Sequence, residues 1–326
     1  MRILVLHSDV PPDAPPEEID TLTSAEAVAQ ALLRHGHDVA KAPFTTDPDR
    51  FARLLAAHRA DVVFNLVEGI DGIGAFAPVA PRMLDEAGAI YTGAGAVAMA
   101  VTSDKPLAKR RMREAGIATP DWCEPPDWHG LGEGTYIVKS TLEDASVGLD
   151  DGCIVTGAEA VKRRAAESAH KHGGKWFAEQ YIDGREYNIS MMQGADGEPI
   201  VMPLAEMRFE GWPSAKPRIV GYDAKWIELD VNDLMVRDFG TAQTDPVLAA
   251  KLKSACERVW RLFGFTGYVR VDFRVTSDGE PLVLEINTNP CIAPDAGFAA
   301  AGEQAGIPYD QLIARLVDSA VAGARG

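Results

Sequence analysis

Apolar and polar positions follow two different rhythms along this chain. In the first third, short apolar runs alternate with stretches of helical period. Arg2 to His7 is an apolar run, and Thr23 to Arg34 carries Ala, Val and Leu on one helical face. Asp38 to Ala42 is a short strand, Pro48 to His58 a second helix, and Asp61 to Val67 (DVVFNLV) a second strong strand. Such alternation predicts a parallel sheet covered by helices. Ligands of these sheets bind outside the carboxyl ends of the strands. The loops after His7 (PPDAPPEE) and Val67 (EGIDGIGAF, opening on Glu68) are therefore candidate binding edges.

The rest of the chain reads as antiparallel α+β. Helices are predicted over Lys105–Ala115 and Ala158–His172, and strands over Thr135–Lys139, Lys175–Tyr181 and Tyr187–Gln193. Pro199 to Met207 reads as one further strand. From Glu206 to Phe239 the chain is irregular and rich in charge, Trp and Pro, as expected of a functional loop. Asp245–Phe263 and Pro308–Ala322 are helical. The fold class is thus α/β and α+β. We expect an N-terminal Rossmann-like parallel-sheet domain (1–101), a small central α+β domain (102–184) and a C-terminal α+β domain (185–326).

The densest chemistry lies in GYVRVDFRVTSDGEPLVLEINTNP, Gly267 to Pro290. Asp278-Gly279 signals a two-residue hairpin loop, in which both central residues take φ > 0. Ser277 then faces Glu280, Asp272 faces Glu285, and Arg270 faces Asn287. Arg270, Asp272, Glu285 and Asn287 share one face. Val269, Val271, Phe273, Leu284 and Ile286 take the other and face a core. Two carboxylates set opposite each other repel unless a cation lies between them. Asp, Glu and Asn oxygens suit a hard divalent ion such as Mg²⁺, which keeps several waters and completes its shell with substrate phosphates. Arg270 stands beside that site, placed to stabilise negative charge on a reacting group.

Bulk properties narrow the class. The chain has 326 residues, 46% of them hydrophobic, enough for a multi-domain globular protein. A net charge of −16 argues against nucleic-acid phosphates and anionic membranes as partners. The four cysteines, Cys123, Cys153, Cys256 and Cys291, match no metal-ligand or disulfide spacing and read as free thiols. No segment has the length of a transmembrane helix, and MRILVLHSDV reads as a core strand with no cleavage signature, so a cytoplasmic location is expected.

Four further features point to a polyphosphate. Lys139 ends a strand before the small-residue loop EDASVG, whose backbone N–H groups suit phosphate oxygens. Lys105 opens a helix behind Thr102-Ser103-Asp104. FAEQYIDGREYNI sets Glu179 and Glu186 around a turn, leaving Glu179 and Ile182 to line an adenine slot. Lys225, in YDAKW, lies in the long loop where it can close over a γ-phosphate.

In this order the motifs resemble the ATP-grasp superfamily, and within it the D-alanine–D-alanine ligases, over nearly the whole chain. The resemblance implies that Lys105 and Lys139 contact ATP phosphates. Glu179, Gln180 and Ile182 would hold adenine, and Glu186 the ribose. Asp272, Glu285 and Asn287 would bind two Mg²⁺, with Mn²⁺ as the alternative ion. Lys225 would meet the γ-phosphate, and Arg270 the tetrahedral intermediate. EEIDTLTSAEAVAQAL resembles the first substrate-binding segment, making Glu17 or Glu18 the holder of an amino group. The implied substrates are ATP and small amino-acid-like molecules, and the implied assembly is a homodimer through the N-terminal domain. The reaction would form an acylphosphate from a carboxylate and ATP, then an amide by amine attack.

Departures gather at the substrate end. The family's double serine is Ala145-Ser146, its lid tyrosine is Trp226, and the glycine after its NTxPG motif is Cys291. A Ser-His-Ser run that receives the second substrate's carboxylate is replaced by APDAGF, with Asp295 where an anion should dock. An acid there favours an acceptor bearing a positive or neutral hydrogen-bonding group. The expectation is a ligase with altered acceptor. An ordinary D-alanine–D-alanine ligase and a non-catalytic nucleotide-binding protein are the alternatives.

Overall fold

The computed structural model describes residues 1–143, 146–214, 216–222 and 234–324. Ala145, Lys225 and Trp226, singled out above, lie outside the described residues.

The N-terminal alternation folds as expected. Strands β1 (Arg2–His7), β2 (Asp38–Pro43) and β3 (Val62–Leu66) form a parallel sheet in the order β2-β1-β3. Its two faces bury separate cores. Ile3 and Val5 point toward α1 (Pro16–Arg34), with Ala25, Val28 and Leu32 among their neighbours. Leu4 and Leu6 point the other way, toward Phe51 of α2 (Pro48–His58) and Met83 and Leu84 of α3 (Val79–Glu86). Helix α1 begins seven residues earlier than its apolar stripe does, at Pro16 rather than Thr23. Proline at the first helical position lacks only an N–H that would be unpaired anyway. Glu17 and Glu18 therefore sit in a helical first turn rather than in a loop. Helices α4 (Ala96–Ser103, AVAMAVTS) and α5 (Lys105–Glu114) follow. The first of these has no polar face to set a period, and sequence reasoning missed it.

A second, antiparallel sheet has the order β4-β7-β5-β6, from β4 (Trp122–Cys123), β5 (Thr135–Ser140), β6 (Ile154–Thr156) and β7 (Trp176–Gln180). Helix α6 (Ala158–His172) covers it through Val161 and Ala165. The third sheet runs β11-β10-β8-β12-β13, with β9 paired to β8. It contains β8 (Arg185–Gln193), β9 (Pro199–Val201), β10 (Ala205–Phe209), β11 (Met235–Asp238), β12 (Tyr268–Val275) and β13 (Pro281–Asn287). The single strand expected over 199–207 is thus two. Met202 and Leu204 in the break turn into different cores. The stretch after Phe209 was expected to be irregular throughout, yet it returns as β11 to pair with β10.

A short helix α7 (Thr241–Thr244) leads into α8 (Pro246–Phe263), which buries Leu252, Cys256, Val259 and Trp260 against Ile189, Val269, Val271 and Phe273. Helix α9 (Gly297–Gln304) follows the third sheet. Helix α10 (Tyr309–Gly323) then packs on α1 beside the first sheet, where Arg34 clasps Asp310 at 2.7 Å. At the junction with the first sheet, Gly267 (φ 70°) leaves no room for a side chain, because an added Cβ would lie 2.6 Å from Gly93.

The hairpin of β12 and β13 keeps the expected pairing of its polar residues, Arg270 with Asn287 and Asp272 with Glu285. Its loop differs. Thr276 N donates to Glu280 O and Gly279 N to Thr276 O, both at 3.0 Å, so the loop is Ser277-Asp278-Gly279. Within it Gly279 alone takes a positive φ, of 81°. A three-residue loop with glycine in the left-handed region replaces the two-residue turn. That slips the register by one position near the loop, where Phe273 pairs with Val283. A bulge between Asp272 and Phe273 restores it, with Leu284 as the extra residue. Val283 takes the core position, while Leu284, expected in the core, lines the cleft.

Candidate active site

A cavity of about 540 Å³ lies between the second and third sheets and opens toward the loops after β1 and β3. Ser8, Glu68 and Gly69 from those loops line one end. Of the expected site residues, Lys139, Glu179, Gln180, Ile182 and Glu186 line one wall. Arg270, Asp272, Glu285 and Asn287 line another, and Glu18, Cys291 and Asp295 also line the cavity.

Three buried charges anchor the first wall. Glu179 Oε1 lies 2.5 Å from Lys139 Nζ, and its Oε2 lies 2.5 Å from Lys109 Nζ. Lys109 also donates to Thr119 Oγ1 (2.8 Å), which passes the contact on to the Val283 carbonyl (2.7 Å). Burial pushes the Glu179 carboxyl up, but Lys109 and Lys139 outweigh it and hold the group below its ordinary range. Glu179 therefore faces two ammonium groups. Sequence reasoning missed Lys109, which sits one helical turn after Lys105 on α5. Lys105 itself is buried, its Nζ donating to the Glu143 carbonyl at 2.8 Å, and its charge acts on Glu285. The Glu143 side chain in turn accepts from Gly74 N at 2.9 Å, tying the loop after β5 to the N-terminal part of the chain.

On the second wall, Arg270 holds Asp272 through Nε and Nη2, each at 2.8 Å. Burial raises the Glu285 carboxyl, but Lys105, Lys139 and Arg270 more than offset this and keep it ionised. Asn287 Oδ1 accepts from Asn289 N at 3.0 Å, an Asx turn that ends β13. Among the described residues, no three His, Cys, Asp or Glu side chains converge as a ready-made metal cage. Asp272, Glu285 and Asn287 offer two carboxylates and an amide on one face. That set fits a hard cation which takes its remaining ligands from water and phosphate.

Next to this wall, Arg274 of β12 donates to Glu186 Oε2 at 2.6 Å. Burial raises the Glu186 carboxyl, and Arg274 opposes that rise. Asn188 is paired with Asp272 across β8 and β12 and also lines the cavity. Sequence reasoning found neither Arg274 nor Asn188, because strand pairing across distant segments leaves no local signal.

Ser146, also in the cavity lining, holds a left-handed φ of 63° and donates its hydroxyl to the Val220 carbonyl at 2.9 Å. Cys291 Sγ donates to Asp20 Oδ2 of α1 at 3.0 Å, and burial pushes its thiol up to about 12. Asp295 is exposed. Arg237 Nη1 lies 3.4 Å from the Asp295 backbone carbonyl oxygen, and Arg237 also lines the cavity. The chain thus supplies its own cation beside Asp295, from a strand 58 residues away. The inference from Asp295 alone to a cationic or neutral acceptor loses its basis. Ala296 precedes α9 without a side-chain cap.

Solved structures of the same architecture identify the fold as ATP-grasp. The D-alanine–D-alanine ligase of Bacillus anthracis complexed with ATP superposes with a TM-score of 0.76 at 18% identity, covering 100% of this chain and 99% of that one. The Coxiella burnetii enzyme gives a TM-score of 0.72 at 17% identity, covering 100% of this chain and 96% of that one. Residues 135–318 match the family described as D-ala D-ala ligase C-terminus. A D-alanine–D-alanine ligase of Gloeobacter violaceus is 29% identical over 98% of this chain and 99% of its own length. D-alanine–D-alanine ligase A of Mesorhizobium japonicum is 30% identical, with 80% and 71% covered. An uncharacterized protein of Sinorhizobium fredii, y4sG, is 29% identical, with 94% and 90% covered. The chain belongs to the D-alanine–D-alanine ligase family and is an ATP-dependent ligase of that type. No helix among the described residues is long and apolar enough to cross a membrane.

Proposed function

We propose that this protein joins a carboxylate to an amine through an acylphosphate, and that its acceptor is not D-alanine. A carboxylate oxygen of the donor attacks the γ-phosphorus of ATP, the bond to ADP breaks, and an acylphosphate forms. The acceptor amine then attacks the acyl carbon, and phosphate leaves with the bonding pair. Phosphoryl transfer of this kind depends on positioning and charge stabilisation. Lys105, Lys139 and Lys225 are the phosphate contacts in this reading. Gln180 and Ile182 meet adenine, Glu186 the ribose, and Glu179 acts by holding Lys139. Asp272, Glu285 and Asn287 hold Mg²⁺ or Mn²⁺, two ions in the fullest case, and the metal neutralises phosphate charge when bound. Arg270 faces charge developing at the acyl carbon. Glu17 or Glu18, with Glu68, receives a substrate amino group.

The observation that carries the altered acceptor is the wall made by Arg237 and residues 295–297. There an aspartate and an alanine without a hydroxyl stand in the segment where a Ser-His-Ser run is expected, with Arg237 of β11 beside them. Ser146, Trp226 and Cys291 complete the substrate end. We further propose the domain limits 1–101, 102–184 and 185–326, a homodimer through the first of these, and a cytoplasmic location. The acylphosphate step is tested with a donor carrying ¹⁸O in its carboxylate. One label appears in the released phosphate if the step occurs, and phosphate free of label contradicts it.

A further inference from the structure

Arg274 lies two positions beyond Asp272 on β12 and is 3% exposed. Its guanidinium serves three acceptors from two segments, the turn into β8 and the stretch around Arg218. Nη2 donates to Glu186 Oε2 at 2.6 Å, Nη1 donates to the Gly184 carbonyl at 2.9 Å, and Nη2 also meets the Arg218 carbonyl. The Tyr181 ring lies 6.0 Å from its central carbon. Gly184 belongs to the loop between β7 and β8 that carries Ile182. This loop is pressed so close to β12 that a Cβ on Gly184 would lie 2.0 Å from the Val275 carbonyl oxygen. Arg218 belongs to the segment 216–222, which also receives the Ser146 hydroxyl through Val220.

A planar fork of five N–H donors can hold three acceptors at once, whereas an ammonium on a flexible stem cannot hold them in one geometry. Without that fork, a buried Glu186 would lose the only hydrogen-bond donor that fixes it among the described residues. Its carboxylate would be free to rotate or to take up a proton.

We propose that Arg274 is a positioning residue: it aims the Glu186 carboxylate at the nucleotide ribose and ties that acid to the 216–222 segment, so that ribose recognition and the wall above it depend on one guanidinium. The inference rests on the reading of Glu186 as the ribose contact.

The test compares binding of ATP and 2′,3′-dideoxy-ATP, each with Mg²⁺, to the full chain by calorimetry. Hydrogen bonds from two hydroxyls to a carboxylate predict that the protein binds ATP about 10- to 100-fold more tightly than the dideoxy nucleotide. Glu186→Gln should shrink that ratio to a few-fold. Arg274→Lys keeps a positive charge beside Glu186, so the variant retains the fold, and it should shrink the ratio nearly as much. Arg274→Met should remove the remainder. A residue with only a structural role would weaken both nucleotides alike and leave the ratio unchanged. If Glu186→Gln collapses the ratio while both Arg274 variants keep it, the positioning role is overturned. If Glu186→Gln itself keeps the ratio, the ribose reading fails, and the inference fails with it.

Discussion

Arg270 and Asp272 lie two residues apart on β12 and meet through a two-pronged contact, 2.8 Å at each prong. Glu285 faces Asp272 across the hairpin, so the guanidinium offsets a carboxylate pair that would otherwise repel. A divalent cation held by Asp272 and Glu285 would compete for the same oxygens and would leave Arg270 available to charge on the reacting group. Arg270→Met should therefore lower turnover by about 10²- to 10³-fold while leaving ATP affinity within a few-fold. Steady-state phosphate release and equilibrium nucleotide binding separate the two effects. Equal losses in both would show that Arg270 acts on ground-state binding instead.

Lys109, Glu179 and Lys139 form a buried charged triad behind the cavity surface. Lys109→Met leaves Glu179 with one partner and Thr119 without its donor. Breaking a buried pair in this way should cost about 3–5 kcal/mol of stability. Lys162→Met, on the exposed face of α6, should change stability by less than about 0.5 kcal/mol. Urea unfolding of the two variants measures the contrast.

The thiols give a pH prediction. Burial pushes Cys123 up to about 11 and Cys153 and Cys291 up to about 12, and raises Cys256 further. At pH 8, a thiol with a pKa of about 12 is ionised to about one part in 10⁴. A disulfide reagent at pH 8 should therefore leave the native protein nearly unlabelled and titrate all four cysteines in urea. The folded state holds these protons more tightly than the unfolded chain, whose thiols have an ordinary value of 9.0. The thiol contribution to stability is thus complete below about pH 9 and is lost as pH rises toward 12. Fast labelling of Cys291 in the native state would contradict this.

Much of the wall that brings Lys139, Glu179, Asp272 and Glu285 together was legible because its residues are close in sequence or repeat with period two. The facing of Asp272 with Glu285 follows from side-chain alternation plus one turn. It survived a misread loop only because the three-residue turn and the Leu284 bulge shift the register in opposite senses. What stayed hidden depends on distant pairing. Lys109 acquires meaning from Glu179, Arg274 from Glu186, and Arg237 from Asp295. In each case the partner lies on another element, and the sequence carries no spacing that joins them. Helices α4 and α9 were hidden for another reason. In α4, apolar residues on every side erase the amphipathic period, and α9 is only eight residues long with two glycines among its alanines.

Asp295 and Arg237 lie together in the lining of the cleft, and under the proposed function the chain's choice of amine depends on both. Asp295→Ser should shift relative kcat/KM among acceptors by about tenfold or more, since a charge facing a substrate is worth more than a methylene. Arg237→Leu should lower kcat/KM for the preferred acceptor and leave KM for ATP within about twofold. Competition assays with paired amino acids read both effects. Unchanged selectivity in both variants would remove this wall from acceptor recognition.

The most direct measurement is phosphate release from Mg-ATP with D- and L-amino acids and amino-containing metabolites, offered singly and in pairs. Turnover with a pair in which the acceptor is not D-alanine, and none with D-alanine alone, is the predicted result. Efficient turnover with D-alanine alone would contradict it and make the chain an ordinary dipeptide ligase.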